Sequence, residues 1–205
     1  MSSNEAAMPS GDSSVAELRD IPLIVRKLNA STKWLVTLAH TYAVWSRPSR
    51  FHGPYIVVGS IAAVYLTDVL KGVINQGRPK GAPFADPGMP SSHALVSFFS
   101  AAAWMSVVAP TAAAGTFSVG QALLLASASL IAVLRVACGF HSVAQIVVGG
   151  LLGSFLGRLW IVIGQVLYSG NSRLTFGLAW TAYLSGSAFF IVNSMSKWTT
   201  RDKDL

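Results

Sequence analysis

Pro54-Tyr-Ile-Val-Val-Gly-Ser-Ile-Ala-Ala-Val-Tyr-Leu-Thr-Asp-Val-Leu70 is a run of 17 residues with one charge, and it ends on Lys71-Gly-Val-Ile-Asn-Gln-Gly-Arg78-Pro79. A helix of about 17–25 apolar residues spans a bilayer, so the stretch reads as a membrane crossing that delivers two cations to one membrane face. Four more stretches repeat the pattern: Ser91–Ala109, Phe117–Leu134, Val143–Tyr168 and Phe176–Met195. A sixth, Trp34–Trp45, has only 12 residues and carries His40. It fits a short span or a helix lying in the interface with its tryptophans at headgroup level. The expected fold is therefore all-α, a polytopic membrane helix bundle of five or six spans.

Composition agrees with that reading. The chain is 52% hydrophobic and 11% charged, about half the charge of an ordinary soluble domain, too little to give 205 residues a solvated surface. The net charge of +7 raises nucleic acid as a partner. The Lys and Arg residues lie at segment ends rather than in one stripe, which excludes that partner and favours anionic lipid headgroups. Arg158 sits near the far end of the fourth span, where a long side chain can snorkel. A single cysteine, Cys138, leaves no intrachain disulfide. Residues 1–30 read as a disordered or interfacial tail, 31–198 as the membrane domain and 199–205 as a polar C-terminal tail. Lys80–Met89 is a loop by its Gly and Pro breakers.

Three clusters interrupt the apolar sequence. Lys71 and Arg78-Pro79 bracket six residues, Pro90-Ser91-Ser92-His93 opens the next span, and Arg135 is followed after five residues by His141 and after three more by Gln145. Span counting tests whether they meet. Lys71 ends one span and His93 begins the next; the chain then crosses, turns and returns, so Arg135 and His141 emerge on the same side. An odd count would have split them between compartments.

Ionisable groups at membrane depth are costly and by default mark a site. These residue types suit phosphoryl transfer, which needs the charge on the equatorial oxygens positioned and neutralised. Lys71, Arg78 and Arg135 supply fixed positive charge, the arginines in bidentate form. Ser91 and Ser92 add hydroxyl donors where a loop becomes a helix, and the exposed amides there favour an anion. Two histidines can divide the work, one attacking phosphorus and one protonating the leaving oxygen. No His/Asp/Glu cluster has metal-ligand spacing, so neither a metal nor another cofactor is expected. Asp68, three residues before Lys71, is placed either to orient it or to form a simple charge pair with it.

In order and internal spacing the clusters resemble the three signature motifs of the type 2 phosphatidic acid phosphatase (PAP2) superfamily of lipid phosphate phosphatases: Lys-(six)-Arg-Pro, Pro-Ser-Gly-His and Ser-Arg-(five)-His-(three)-Asp. The first is intact here. Ser92 stands in place of Gly in the second, and Leu134 and Gln145 in place of Ser and Asp in the third. Asp86-Pro-Gly-Met-Pro-Ser-Ser-His-Ala94 and His-(three)-Gln resemble the dolichyl-diphosphatase branch and the plant epsilon-type plastid enzymes, and Asn75-Gln-Gly-Arg-Pro79 leans towards the latter. The resemblance implies hydrolysis of phosphatidate to diacylglycerol and phosphate without a metal, through a phosphohistidine on His141 with His93 as the acid. It implies a lipid phosphate substrate and a plastid envelope or endoplasmic reticulum membrane. A polyprenyl or dolichyl diphosphate is the alternative substrate. A catalytically weakened lipid-phosphate-binding protein is the alternative class, raised by Gln145. The family's Asp orients the nucleophilic imidazole; the Gln145 amide oxygen can accept the same hydrogen bond but brings no charge.

Overall fold

A computed structural model describes residues 21–46, 50–108 and 118–201. Among them every regular element is a helix: α1 Leu23–Trp45, α2 His52–Ile74, α3 Ser92–Val108, α4 Val119–Ala137, α5 Val143–Gly170 and α6 Ser172–Arg201. The protein is an all-α polytopic membrane bundle. Among the described residues four helices are long and apolar enough to cross a bilayer: α2, α4, α5 and Ser172–Asn193 of α6. The fifth apolar helix, α3, has 17 residues. Leu151, Phe155, Val166 and Leu178 are exposed on the outside of the bundle, a cost in water that lipid removes.

Several helix ends differ from the hydropathy boundaries. Helix α2 continues past Leu70 to Ile74, which places Lys71 in its last turn, where a cation suits the helix dipole. It stops at Asn75, whose φ of 47° is left-handed and whose N–H caps the Lys71 carbonyl at 2.9 Å. Helix α1 begins at Leu23, eleven residues before Trp34, because Arg26 and Lys27 break the apolar run without breaking the helix. Residues 23–30 of the expected N-terminal tail are thus helical, and 199–201 of the C-terminal one close α6. Residues 1–20 and 202–205 of those tails lie outside the described residues, as do the span ends set at Ala109 and Phe117.

The seam that positions the site is between α3 and α5. A Cβ on Gly149 would stand 2.8 Å from the Ser91 carbonyl, and one on Gly153 or Gly157 would collide with the carbonyl of Leu95 or Phe99. Glycine at every fourth residue lets the two backbones touch, the small-residue packing that serves where lipid provides no hydrophobic drive between helices. At the end away from the clusters the bundle closes with rings. Tyr55 stacks on Trp160 at 4.7 Å and Phe51 on Tyr168 at 4.9 Å, and the Trp160 indole N–H donates to the Tyr55 carbonyl at 2.9 Å.

Candidate active site

All three sequence clusters lie at one end of the bundle. Arg135 lies in the last turn of α4, a loop over 138–141 follows, and Ser142 caps α5. The cap is a reciprocal box: the Ser142 hydroxyl accepts from Gln145 N–H at 3.3 Å, and the Gln145 side-chain oxygen accepts from Ser142 N–H at 3.1 Å. The Arg135 carbonyl accepts from the N–H groups of both Phe140 and His141, at 3.0 and 3.2 Å, so the nucleophile candidate hangs from the end of α4 and the start of α5 together.

His141 is buried, with 3% of its surface exposed. Its Nδ1 faces the Gly88 carbonyl at 3.1 Å and Gln145 Oε1 at 3.2 Å. The Gln145 amide is unambiguous, because Oε1 receives the Ser142 N–H while Nε2 donates to the Gly77 carbonyl at 2.9 Å. Two acceptors at Nδ1 place the proton there and leave a lone pair on Nε2. That lone pair meets the Arg78 guanidinium, NH1 to Nε2 at 3.1 Å. Burial first, then the charges of Arg78, Arg135 and Lys71, lower the His141 pKa to about 4, against the smaller opposing pull of Gln145. The imidazole is therefore neutral at physiological pH.

Three further Arg78 donors are engaged. Nε donates to the Asp86 carbonyl at 3.0 Å, NH2 to Asp86 Oδ2 at 2.8 Å, and NH1 also to the Phe140 carbonyl at 2.9 Å. Lys71 Nζ reaches the same Asp86 Oδ2 at 3.1 Å. Lys71 thus turns to Asp86, which corrects the expected pairing with Asp68: a loop carboxylate placed between two cations wins over an exposed acid on the same helix. Burial raises the Asp86 pKa, but the hydrogen bonds and charges of Arg78 and Lys71 outweigh it and hold the carboxyl below its usual range. Asp86 stays 43% exposed at its side chain.

Arg135 is buried, donates from NH1 to Asn29 Oδ1 at 3.0 Å, and lies 4.4 Å over the Phe140 ring. Its Nε has no hydrogen-bond partner among the described residues. His93 stands in the first turn of α3, half-buried and within electrostatic reach of Arg135, His141, Lys71 and Arg78. Ser92 is half-buried beside it. Ser91 is fully buried; its oxygen receives the Ala94 N–H at 3.5 Å and its N–H donates to the Gln145 carbonyl at 3.2 Å.

Four participants were not read from sequence: Asp86, Gly88, Asn29 and the Gln76-Gly77 backbone. Asp86 carried a signal, being one of only 8 acidic residues and lying in the loop between two cationic motifs. Ser142-Val-Ala-Gln145 carried another, the spacing of a capping box. Gly88 acts through its carbonyl and Asn29 from 106 residues away, and neither leaves a trace in local sequence.

Comparison with known proteins matches the geometry. The PAP2 superfamily model matches residues 54–168, more than half of the chain and the segment that carries all three clusters. Lipid phosphate phosphatase epsilon 1, chloroplastic, of Arabidopsis thaliana is 37% identical over 141 residues, covering 68% of this chain and 50% of that protein. Lipid phosphate phosphatase epsilon 2, chloroplastic, of the same plant is 34% identical over 185 residues, covering 85% of this chain and 62% of that protein. The chain thus spans between half and two thirds of the length of these curated relatives. No solved structure gives a significant match. With its three motifs assembled at one end of a membrane bundle, this chain belongs to the PAP2 superfamily.

Proposed function

We propose that this chain is a membrane lipid phosphate phosphatase that cleaves phosphatidate to diacylglycerol and phosphate through a phosphohistidine. The observation that carries the reading is His141: Nδ1 is held by two acceptors, and the Nε2 lone pair is presented to a cation of the Lys71/Arg78 pair. A phosphate accepted by Lys71, Arg78 and the unpartnered Arg135 Nε would bring phosphorus to that lone pair. Nε2 attacks, the P–O bond to the lipid breaks, and His93 gives its proton to the leaving oxygen; water then attacks the phosphohistidine, losing a proton to His93, and releases phosphate. The positive charge that His141 gains is shared with the Gly88 and Gln145 oxygens. Ser92 opens the helix end that faces the phosphate. Ser91 caps α3 by accepting the Ala94 N–H, and its own O–H is left to donate there.

A lipid tail has a place to go. A cavity of about 810 Å³ starts at Ser97, one helical turn along α3 from His93, and continues past Ser100 and Trp104 to Val108, walled by α1 and α4. It contains none of the cationic cluster residues. The names of the Arabidopsis relatives support a lipid phosphate as substrate and a plastid membrane as location. A polyprenyl diphosphate presents the same headgroup chemistry. The Gln145 network favours turnover over mere binding, because the acceptor a catalytic histidine needs is present and oriented. The deciding test is phosphate release by the purified full chain in detergent micelles with EDTA, phosphatidate and a polyprenyl diphosphate side by side. Turnover of phosphatidate is expected. Faster turnover of the diphosphate would reassign the substrate, a strict Mg²⁺ requirement would reject the metal-free chemistry, and no release from either would reject the enzyme.

A further inference from the structure

Resting on that reading, we propose that Gln145 is a two-ended positioning residue whose oxygen fixes the His141 tautomer while its NH2 group anchors the loop that carries Arg78. On this account the chain requires a side chain here that both accepts and donates, which an ionised carboxylate cannot do.

Four contacts carry the inference. Gln145 Oε1 takes His141 Nδ1–H and Ser142 N–H, and Gln145 Nε2 donates to the Gly77 carbonyl at 2.9 Å and approaches Gln76 Oε1 at 3.5 Å. Gly77 immediately precedes Arg78, so the amide ties the nucleophile to the cation that must share a phosphate with it. Gly88 closes the junction, its N–H donating to the Gln76 carbonyl at 2.7 Å and its carbonyl accepting from His141 at 3.1 Å. The side chain at 145 uses all the room there is. A Cβ on Gly88 would lie 2.6 Å from Gln145 Nε2, 2.8 Å from Oε1 and 2.9 Å from Arg78 Cγ. Glycine is thus required at 88 by the width of the amide rather than by its own backbone angle.

A carboxylate at 145 would still accept at His141 and Ser142, but it would turn its second oxygen on the Gly77 carbonyl, acceptor against acceptor. Protonated, the same carboxyl regains a donor and mimics the amide at both ends. This gives a signature that a role confined to His141 would reverse, since an ionised partner supports a positive imidazole better than a neutral one does.

The experiment compares Gln145→Glu with wild type from about pH 8 to about pH 5, as kcat and KM for phosphatidate in micelles. His93, Asp86, Lys71, Arg78 and Arg135 surround the junction in both proteins, so the ratio at each pH removes what they share; His141 touches residue 145, and its own acid limb is read from the full kcat/KM profile of each protein. The two-ended role predicts a loss of tenfold or more in kcat/KM at the alkaline end, with KM raised because the Arg78 loop is released, and recovery towards wild type on acidification. Glu equal to or better than wild type at the alkaline end, or a ratio that improves as pH rises, overturns it. Should Gln145→Glu not fold, Gly88→Ala tests the same junction with residue 145 unchanged. It should lower kcat and raise KM together by tenfold or more, and unchanged values of both overturn the proposal. Failure of wild type to turn over any lipid phosphate would instead defeat the functional reading.

Discussion

The first turn of α5 is polar and hydrogen-bonded, whereas its last turns are aromatic and stacked. Gln145 at one end joins loops from three parts of the chain, and Trp160 and Tyr168 at the other join rings from α2 and the residue before it. Between them the glycines at 149, 153 and 157 set the helix against α3 with no side chain intervening. The difference separates two tasks within one 28-residue helix. Hydrogen bonds have direction and fix the tautomer and the cation; stacked rings bury area and hold the bundle closed without specifying chemistry.

The largest expected effect lies at the polar end. His141→Ala should leave no measurable phosphate release and no acid-labile label on quenched protein, with the helical content of the purified chain unchanged. Label on the variant would move the nucleophile elsewhere and end the claim that this end of α5 is chemical. Arg78→Ala and Arg135→Ala should each cost roughly 10²–10³ in kcat, the scale for removing a donor that stabilises transition-state charge. Losses below tenfold at both would show that the cations are structural.

The middle of the helix should respond in stability. Gly153→Val forces a side chain onto the Leu95 carbonyl and should cost at least about 1–3 kcal/mol, the overpacking range, read as a lower melting temperature in detergent. A melting temperature equal to wild type would mean that the α3–α5 contact is looser than the backbone approach implies. The aromatic end is expected to be mildest. Trp160→Phe removes the N–H donated to the Tyr55 carbonyl and should lower stability by about 0.5–1.5 kcal/mol with kcat unchanged. A tenfold fall in kcat would erase the division between the ends.

Acid sharpens the same contrast. Unfolded, His141 takes a proton near the ordinary histidine value of 6.5, whereas the folded protein resists until about pH 4. Its contribution to stability is therefore complete above about 6.5 and is lost as pH falls towards 4. The acid limb that His141 imposes on kcat/KM should likewise lie near pH 4, not near 6.5, in the free enzyme. An acid limb at the ordinary histidine value would show that His141 is not buried among these cations in solution.

Much of this was readable before any coordinates. The three clusters pointed to phosphate chemistry because that chemistry restricts which residue types serve, and span counting put them on one side, where the structure brings them together. Hydropathy located the apolar helices but misplaced their ends, since Lys71 still belongs to α2 and the charges of Arg26 and Lys27 hid the first turns of α1. The resemblance drew attention to Gln145 as an acceptor. Its second bond, to the Gly77 carbonyl 68 residues away, could not be read, because a backbone oxygen has no letter in the sequence. Asp86 escaped for a different reason: its signal was in the sequence, but Asp68 was nearer along the chain and drew the pairing with Lys71, whereas Asp86 lies 15 residues beyond it.

The glycine seam has one more consequence. Because carbonyls rather than side chains set the separation of α3 and α5, the spacing of the two imidazoles rests on the least adjustable material in the molecule. The walls that a lipid tail would touch, on α1 and α4, belong to different helices and carry ordinary side chains such as Val36, Leu124 and Ile131. If the proposed function holds, changes of tail preference can therefore accumulate there one residue at a time while the placement of His93 and His141 is inherited intact.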